Sequence, residues 1–487
     1  MSGTANLKET AVKGLIWSAI ERIGAQGIQF IFGIIITRIL FPADYGLVGM
    51  ILIFVAIGQT IVDSGFGSAL IWKNDLSETD LSTVFYFNIT VSLILYFILF
   101  FLAPFIAVFY DEPRLINLIR VICLNFLIIS FSLIQQVDLQ KRVDFKLLAV
   151  VNIFGSIIAG IIALIMAFRG LGAWALVMQI LVKSFVTSLL LWIFNKWRPV
   201  FVFSLSALKQ LFSYGSNLLA AGLLYTVFRN LYFNIIGKLF PVTSLGYYTR
   251  AVQLHDFPVT TIGQIFNRVV FPVFSTIKDS DERLKNAIRK TLRTMVFITF
   301  PVLIGLIAVA DELIEVVLTE KWLPASGYFK LFCLAGLFYP FQVLNNEVLK
   351  TKGKSNLVLR LEIITKIVLI INILITWRWG ITVIIIGQML SIFLACAIGF
   401  FYVFKLIGYT LWEHLRDIFP YLAVSTCMYF ALSVISIQIN KPLISLIVMS
   451  FSGFVFYCVT VWFLKLDEIK EIQVIVKMIT LKNPIIK

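Results

Sequence analysis

The sequence predicts an all-α polytopic membrane protein of about 14 transmembrane helices, built as two parallel six-helix lobes plus a C-terminal helix pair. Three observations predict it. The 487-residue chain is 60% hydrophobic and only 14% charged, with a mean hydropathy of +0.96, where a soluble protein carries about 25% charged residues. Apolar runs of about 20 residues, the length that crosses a ~30 Å hydrocarbon core, recur from end to end. Finally, two short loop motifs recur at matching places in the two halves.

In chain order the apolar runs lie near 11–37, 43–70, 81–108, 114–137, 146–168, 172–194, 208–236, 243–274, 291–310, 323–349, 356–376, 380–404, 415–436 and 442–464. Runs one, seven, eight and ten are the more polar. The first, around "GLIWSAIERIGAQGIQFIFGIII", places Glu21 and Arg22 inside an otherwise apolar stretch. That interruption, and the lack of a small-residue cleavage site, argue against a cleavable signal. The expected organisation is an N-terminal lobe over 1–200, a second lobe over 201–410, helices thirteen and fourteen over 411–464, and a tail over 465–487. The tail alternates apolar and basic residues with a rough helical period, as an amphipathic helix on the cytoplasmic surface would.

Orientation follows from the basic residues. Of the 41 Lys and Arg, 25 fall at one set of helix ends, including both termini, and seven at the other. Such a bias marks the cytoplasmic side, so both termini are expected there and the helix count is even. The net charge of +15 is therefore read as a topology signal and not as a nucleic-acid footprint. The five cysteines, all within apolar runs, read as small hydrophobes, and two histidines are too few for a histidine-rich metal site. No cofactor is expected.

"RILFPADYGLVGM" (38–50) joins runs one and two, and "GKLFPVTSLGYYT" (237–249) joins runs seven and eight. "LQKR" (139–142) and "LKTK" (349–352) echo each other after runs four and ten. Duplication of a six-helix unit explains both echoes. Because six is even, the halves insert with the same orientation, a transporter architecture with substrate held between lobes.

A charge at the bilayer centre costs roughly 2.5–3.5 kcal/mol, so it should face a cavity or a partner. At 100° per residue, Ser18, Arg22, Gln26 and Gln29 fall on one stripe of the first helix, with Glu21 at its flank. Arg250, Thr261, Gln264 and Arg268 form a stripe on the eighth, where Pro258 can kink the register. On the seventh, Arg229 shares a face with Tyr225, Thr226 and Tyr232. Other embedded cations are Arg120, Lys183, Lys330, Arg360 and Lys366, facing few carboxylates: Glu21, Asp63, Asp256, Glu347 and Glu362. A cationic surplus suits an anion, because guanidinium binds phosphate oxygens bidentately and stays charged. The expected substrate-binding set is Arg22, Arg229, Arg250, Arg268, Gln26 and Gln264. Glu21, Asp63 and Asp256 are candidates for ion coupling.

The chain also resembles the polysaccharide-export flippases of the multidrug, oligosaccharidyl-lipid and polysaccharide exporter superfamily. The matching pieces, in order, include Trp17-Ser18, "TRILFPADYG" (37–46), "DSGFGSALI" (63–71), "LSTVF" (81–85), "LQKRVDF" (139–145) and "GLGAWALV" (170–177). They continue with "WRP" (197–199), "YGSNLL" (214–219), "LGYYTRA" (245–251), "RVVFPVFS" (268–275) and "EKWLPA" (320–325). The resemblance implies alternating access on undecaprenyl-diphosphate-linked oligosaccharides in the bacterial inner membrane, for surface polysaccharide or lipopolysaccharide synthesis. Implied partners are that lipid-linked diphosphate, membrane lipid, and a polymerase or other assembly proteins. It further implies cavity arginines on the first, second and eighth helices. Arg22 can stand for the first and Arg250 or Arg268 for the eighth, but 43–63 offers no Lys or Arg for the second.

Two other classes bear weighing. A cation-coupled drug exporter of the same fold would need embedded carboxylates, which arginine outnumbers along the stripes. A membrane polymerase or ligase would need acid-base groups near an outer acceptor, and the short loops and the single embedded histidine, His255, speak against an enzyme. A non-transporting scaffold is a further possibility that no residue excludes.

Overall fold

The computed structural model describes Trp17 and residues 24–63, 66–73, 76–277, 279–439 and 441–464. Its described residues fall into two compact units, Met1–Thr249 and Arg250–Lys487. Every regular element among them is helical. Arg22, Glu21 and the tail 465–487 lie outside the described residues.

The first unit holds α1 (Gly24–Ile39), α2 (Pro42–Asp63), α3 (Phe66–Trp72), α4 (Glu78–Tyr110), α5 (Leu115–Ile122) and α6 (Leu124–Lys141). It continues with α7 (Phe145–Phe168), α8 (Ala173–Phe194), α9 (Leu205–Leu239) and the start of α10 (Val242–Thr276). The second unit takes up α10 and adds α11 (Asp281–Ala308), α12 (Ala310–Leu318), α13 (Ala325–Gly336), α14 (Tyr339–Thr351), α15 (Ser355–Thr376), α16 (Ile381–Ile407), α17 (Leu411–Gln438) and α18 (Pro442–Phe463). Among the described residues, eleven of the fourteen expected crossings are long and apolar enough to span a membrane, and the described part of the first, α1, is a shorter apolar helix. The protein is thus a multi-pass membrane protein. The two others outside the eleven are α10, the polar eighth run, and α15, which carries Arg360, Glu362 and Lys366.

Helix starts follow local chemistry. Ser77 caps α4 and Thr410 caps α17, each in a reciprocal capping box with Asp80 or Glu413. Asp144, Ser204 and Ser280 cap α7, α9 and α11 through their side chains. Each such cap is worth about 1 kcal/mol. Two expected helices are interrupted: the fourth divides at Cys123 into α5 and α6, and the tenth at Leu337–Phe338 into α13 and α14. Cys123, Cys333 and Cys396 are buried as expected, but Cys427 and Cys458 are exposed on α17 and α18.

At one end of the first unit, Phe66, Leu70, Leu81, Phe85, Ile134 and Trp197 form a common core. The segment after α8 is tied down over it. The Val200 amide donates to the Ser82 hydroxyl at 3.0 Å, and the Ser204 amide donates to Thr83 at 3.0 Å. Asn195 donates to Gln135 at 2.7 Å and to Asp138 at 3.0 Å, while the Trp197 indole donates to Glu78 at 3.0 Å. The "DSGFGSALI", "LSTVF" and "WRP" motifs thus meet in one structural knot.

The two Leu-Phe-Pro turns meet at the opposite end of this unit. A Cβ placed on Gly46 would collide with the Val242 carbonyl oxygen, and one on Gly246 would collide with the Pro42 carbonyl oxygen. Pro42 stands four residues before Gly46, as Val242 stands four before Gly246. The contact is therefore reciprocal, as a pseudo-twofold axis relating the duplicated motifs requires. Thr37 bonds Tyr45 at 2.7 Å beside it, and Asp44 accepts from the Phe41 amide at 2.9 Å.

In the second unit α11 lies along α17 and α15 along α16, while α18 covers α12 and α17. Its core includes Phe274, Leu292, Met295, Phe300, Leu344 and Tyr421.

Candidate functional site

On α9 the polar residues form a ladder. Asn230 donates to the Thr226 carbonyl at 2.8 Å, and Asn234 repeats the bond to Asn230 one turn later, also at 2.8 Å. Asn234 accepts from the Tyr110 hydroxyl at 2.7 Å, and Thr226 bonds Thr60 of α2 at 3.0 Å. Both amides donate back to carbonyls of their own helix, and the Asn234 oxygen is satisfied by α4, as a low-dielectric setting favours. Arg229 does otherwise. It is exposed beside Tyr225, and it has no ion-pair partner among the described residues. It also sits midway along the apolar segment Leu219–Leu239. A guanidinium there needs water or an anion. Tyr232, expected on its face, is instead buried at 3% exposure.

Along α10, Arg250 is 5% exposed and donates to the Gln253 side-chain oxygen Oε1 at 3.0 Å. One turn on, His255 contacts the half-exposed Asp256 at 3.2 Å. The Thr260 and Thr261 hydroxyls bond back to the carbonyls of Asp256 and Phe257 at 2.6 Å each. The helix runs on through Pro258. Gln264 and Arg268 lie on the same helix, with side chains outside the described set. On α1, Gln26 is half-buried and Gln29 exposed, and on α2 Asp63 is exposed at the last turn.

Several embedded cations have local partners. Lys330 pairs with Asp311 at 2.6 Å, and Lys366 lies 3.5 Å from Glu362. Arg120 rests over the Phe100 ring at 4.3 Å, a cation–π contact. Glu347 is held by Lys350 at 2.7 Å. Lys330, Lys366 and Arg120 are thus met locally, whereas Arg229 has no ion-pair partner among the described residues.

Sequence reasoning missed one cluster. The Asp417 side chain of α17 is fully buried and receives Arg289 at 2.7 Å and Arg293 at 2.5 Å, both from α11. The Tyr409 hydroxyl donates to it at 2.8 Å, and Tyr409 stacks on His414 with centroids 3.4 Å apart. Lys285 adds a bridge to Glu413 at 2.8 Å. Burial, reinforced by the bond to the Asp417 carboxylate, pushes the Tyr409 phenol well above its ordinary pKa. The signal available was a carboxylate opening an apolar run, with a basic run elsewhere to match it.

The fold and these residues define an all-α, multi-pass membrane protein whose polar helices carry arginines inside apolar surroundings. Residues 35–327 match the profile of the family described as "Polysaccharide biosynthesis protein", and the chain belongs to that family. The resemblance read from the motifs is thereby borne out. The teichuronic acid biosynthesis protein TuaB of Bacillus subtilis (strain 168) is 32% identical over 302 residues, 61% of this chain and 62% of that protein. The lipopolysaccharide biosynthesis protein WzxC of Escherichia coli (strain K12) is 26% identical over 338 residues, 68% of each chain. Among solved structures, the lipid II flippase MurJ in an inward closed conformation superposes with a TM-score of 0.74. That match covers 93% of this chain and 100% of MurJ at 14% identity, so it speaks for the fold alone.

Proposed function

We propose that the protein is a flippase that carries undecaprenyl-diphosphate-linked oligosaccharide units across the bacterial inner membrane for surface polysaccharide synthesis. It works by alternating access through a cationic cavity, and no covalent chemistry is required of it. The observation that carries this reading is membership of a polysaccharide biosynthesis family on a fold shared with a lipid II flippase. The exposed mid-segment Arg229 supports it, since a diphosphate supplies the counter-charge that this guanidinium lacks among its described neighbours. Arg22, Arg250 and Arg268, with Gln26 and Gln264, complete the proposed binding set. Glu21, Asp63 and Asp256 are the proposed coupling carboxylates. Both termini then face the cytoplasm, and polysaccharide-assembly proteins such as a polymerase receive the translocated product.

The test is to deplete the protein and follow lipid-linked glycan by leaflet. Accumulation on the cytoplasmic leaflet is expected, and an unchanged distribution overturns the reading. Arg22→Ala is expected to abolish export while the protein still inserts, with Arg22→Lys restoring only part of it, because an ammonium lacks the bidentate fork.

A further inference from the structure

The connection between α8 and α9 does not behave as a water-exposed loop. Four successive residues, Val200, Phe201, Val202 and Phe203, are all exposed, Phe201 at 97%. Leu205 and Phe212 extend the same apolar surface onto the first turns of α9. A strand half-buried on a core would alternate, one face in and one face out. This segment does not alternate. Nor is it a loose tether, since the Ser82 and Thr83 hydroxyls receive the Val200 and Ser204 amides and Trp197 is buried. The chain therefore holds an apolar strap rigidly outward, at the end of the unit where α4 begins and α8 finishes. Lys196, Arg198 and Lys209 flank it, all three exposed.

We infer that this strap is a membrane anchor: its phenylalanines enter the leaflet at this end of the protein, and its three flanking cations meet anionic phospholipid headgroups. The composition fits an interface. Apolar side chains reach the acyl boundary while basic ones stay at headgroup level, and each Lys or Arg near an anionic surface adds attraction. A contiguous exposed apolar surface marks an interaction site, and the basic border selects an anionic lipid over an apolar protein face. This inference goes beyond the transport reading and stands without it.

The test places a nitroxide at Phe201→Cys, Phe203→Cys or Lys196→Cys in the full chain. The exposed Cys427 and Cys458 are first replaced by serine. The protein is reconstituted in nanodiscs of phosphatidylglycerol and phosphatidylcholine, and collisions with oxygen and with a water-soluble nickel chelate are compared. At 201 and 203 oxygen should exceed nickel several-fold, with the order reversed at 196. Nickel dominating at 201 would put the strap in water and overturn the inference. Exclusion of both reagents would mean that a protein surface covers it, which also overturns it. Omitting phosphatidylglycerol should make position 201 shallower, and an unchanged depth would remove the role given to the three cations.

Discussion

Two regions of the molecule treat arginine in opposite ways. Between α11 and α17, Arg289 and Arg293 converge on the fully buried Asp417, with Tyr409 as a third donor. On α9, Arg229 stands exposed in the middle of an apolar segment, with no carboxylate bound to it among the described residues. The sequence shows arginine near apolar residues in both places. Only the partner distinguishes them. A guanidinium matched to a buried carboxylate fixes one helix against another. A guanidinium at mid-membrane is costly unless water or an anion meets it. The difference separates arginines that tie helices together from one that carries no such tie among the described residues.

Breaking the first pair should have the largest effect on stability. Asp417→Ala leaves two guanidiniums and a phenol without their acceptor, a loss of about 3–5 kcal/mol for a buried ion pair with one side removed. Detergent-solubilised protein should show it as a large fall in Tm, and an unchanged Tm would reduce the cluster to a surface contact. A smaller loss, about 1–2 kcal/mol, is expected for Arg289→Lys, because lysine cannot reproduce the two bonds from Nε and Nη2 to the carboxylate. The same melting measurement checks it. For Arg229→Ala the order reverses: stability should move by less than about 0.5 kcal/mol, while export of lipid-linked glycan falls steeply. A large drop in Tm with normal export would make Arg229 structural and erase the contrast.

The smallest effect concerns Asp311, outside the spans. Burial acts to raise its pKa, but the hydrogen bonds from Lys330 and Ser326 outweigh burial and hold it below the usual carboxylate value. A depressed pKa contributes stability above the unfolded value and loses it as pH falls through the folded one. Tm should therefore decline slightly on acidification below the usual aspartate range, and Asp311→Asn should flatten that decline.

Most of the helical framework was legible because hydropathy reports burial in lipid directly. The helix starts were less so. Expected at 291 and 415, α11 begins at Asp281 and α17 at Leu411, because capped polar turns extend each helix beyond its apolar run. The break at Cys123 lies within an apolar run between Arg120 and Asn125, and the one at Leu337–Phe338 lies between Gly336 and Pro340, a turn signal that hydropathy does not register. At the site, spacing alone put Tyr232 beside Arg229, but packing buries it. Lys330 and Asp311 are 19 residues apart and on different helices, so their pairing is invisible to a stripe analysis. Asp417 and Arg289, 128 residues apart, are harder still.

The reciprocal contact of Gly46 and Gly246 carries a genetic consequence. The nearest neighbour of each glycine is a carbonyl oxygen, and every amino acid presents the same carbonyl. A damaging substitution at either position thus has no compensating change at 42 or 242 to rescue it. Suppressors, if any arise, must act at a distance by shifting the axis of α2 or α10.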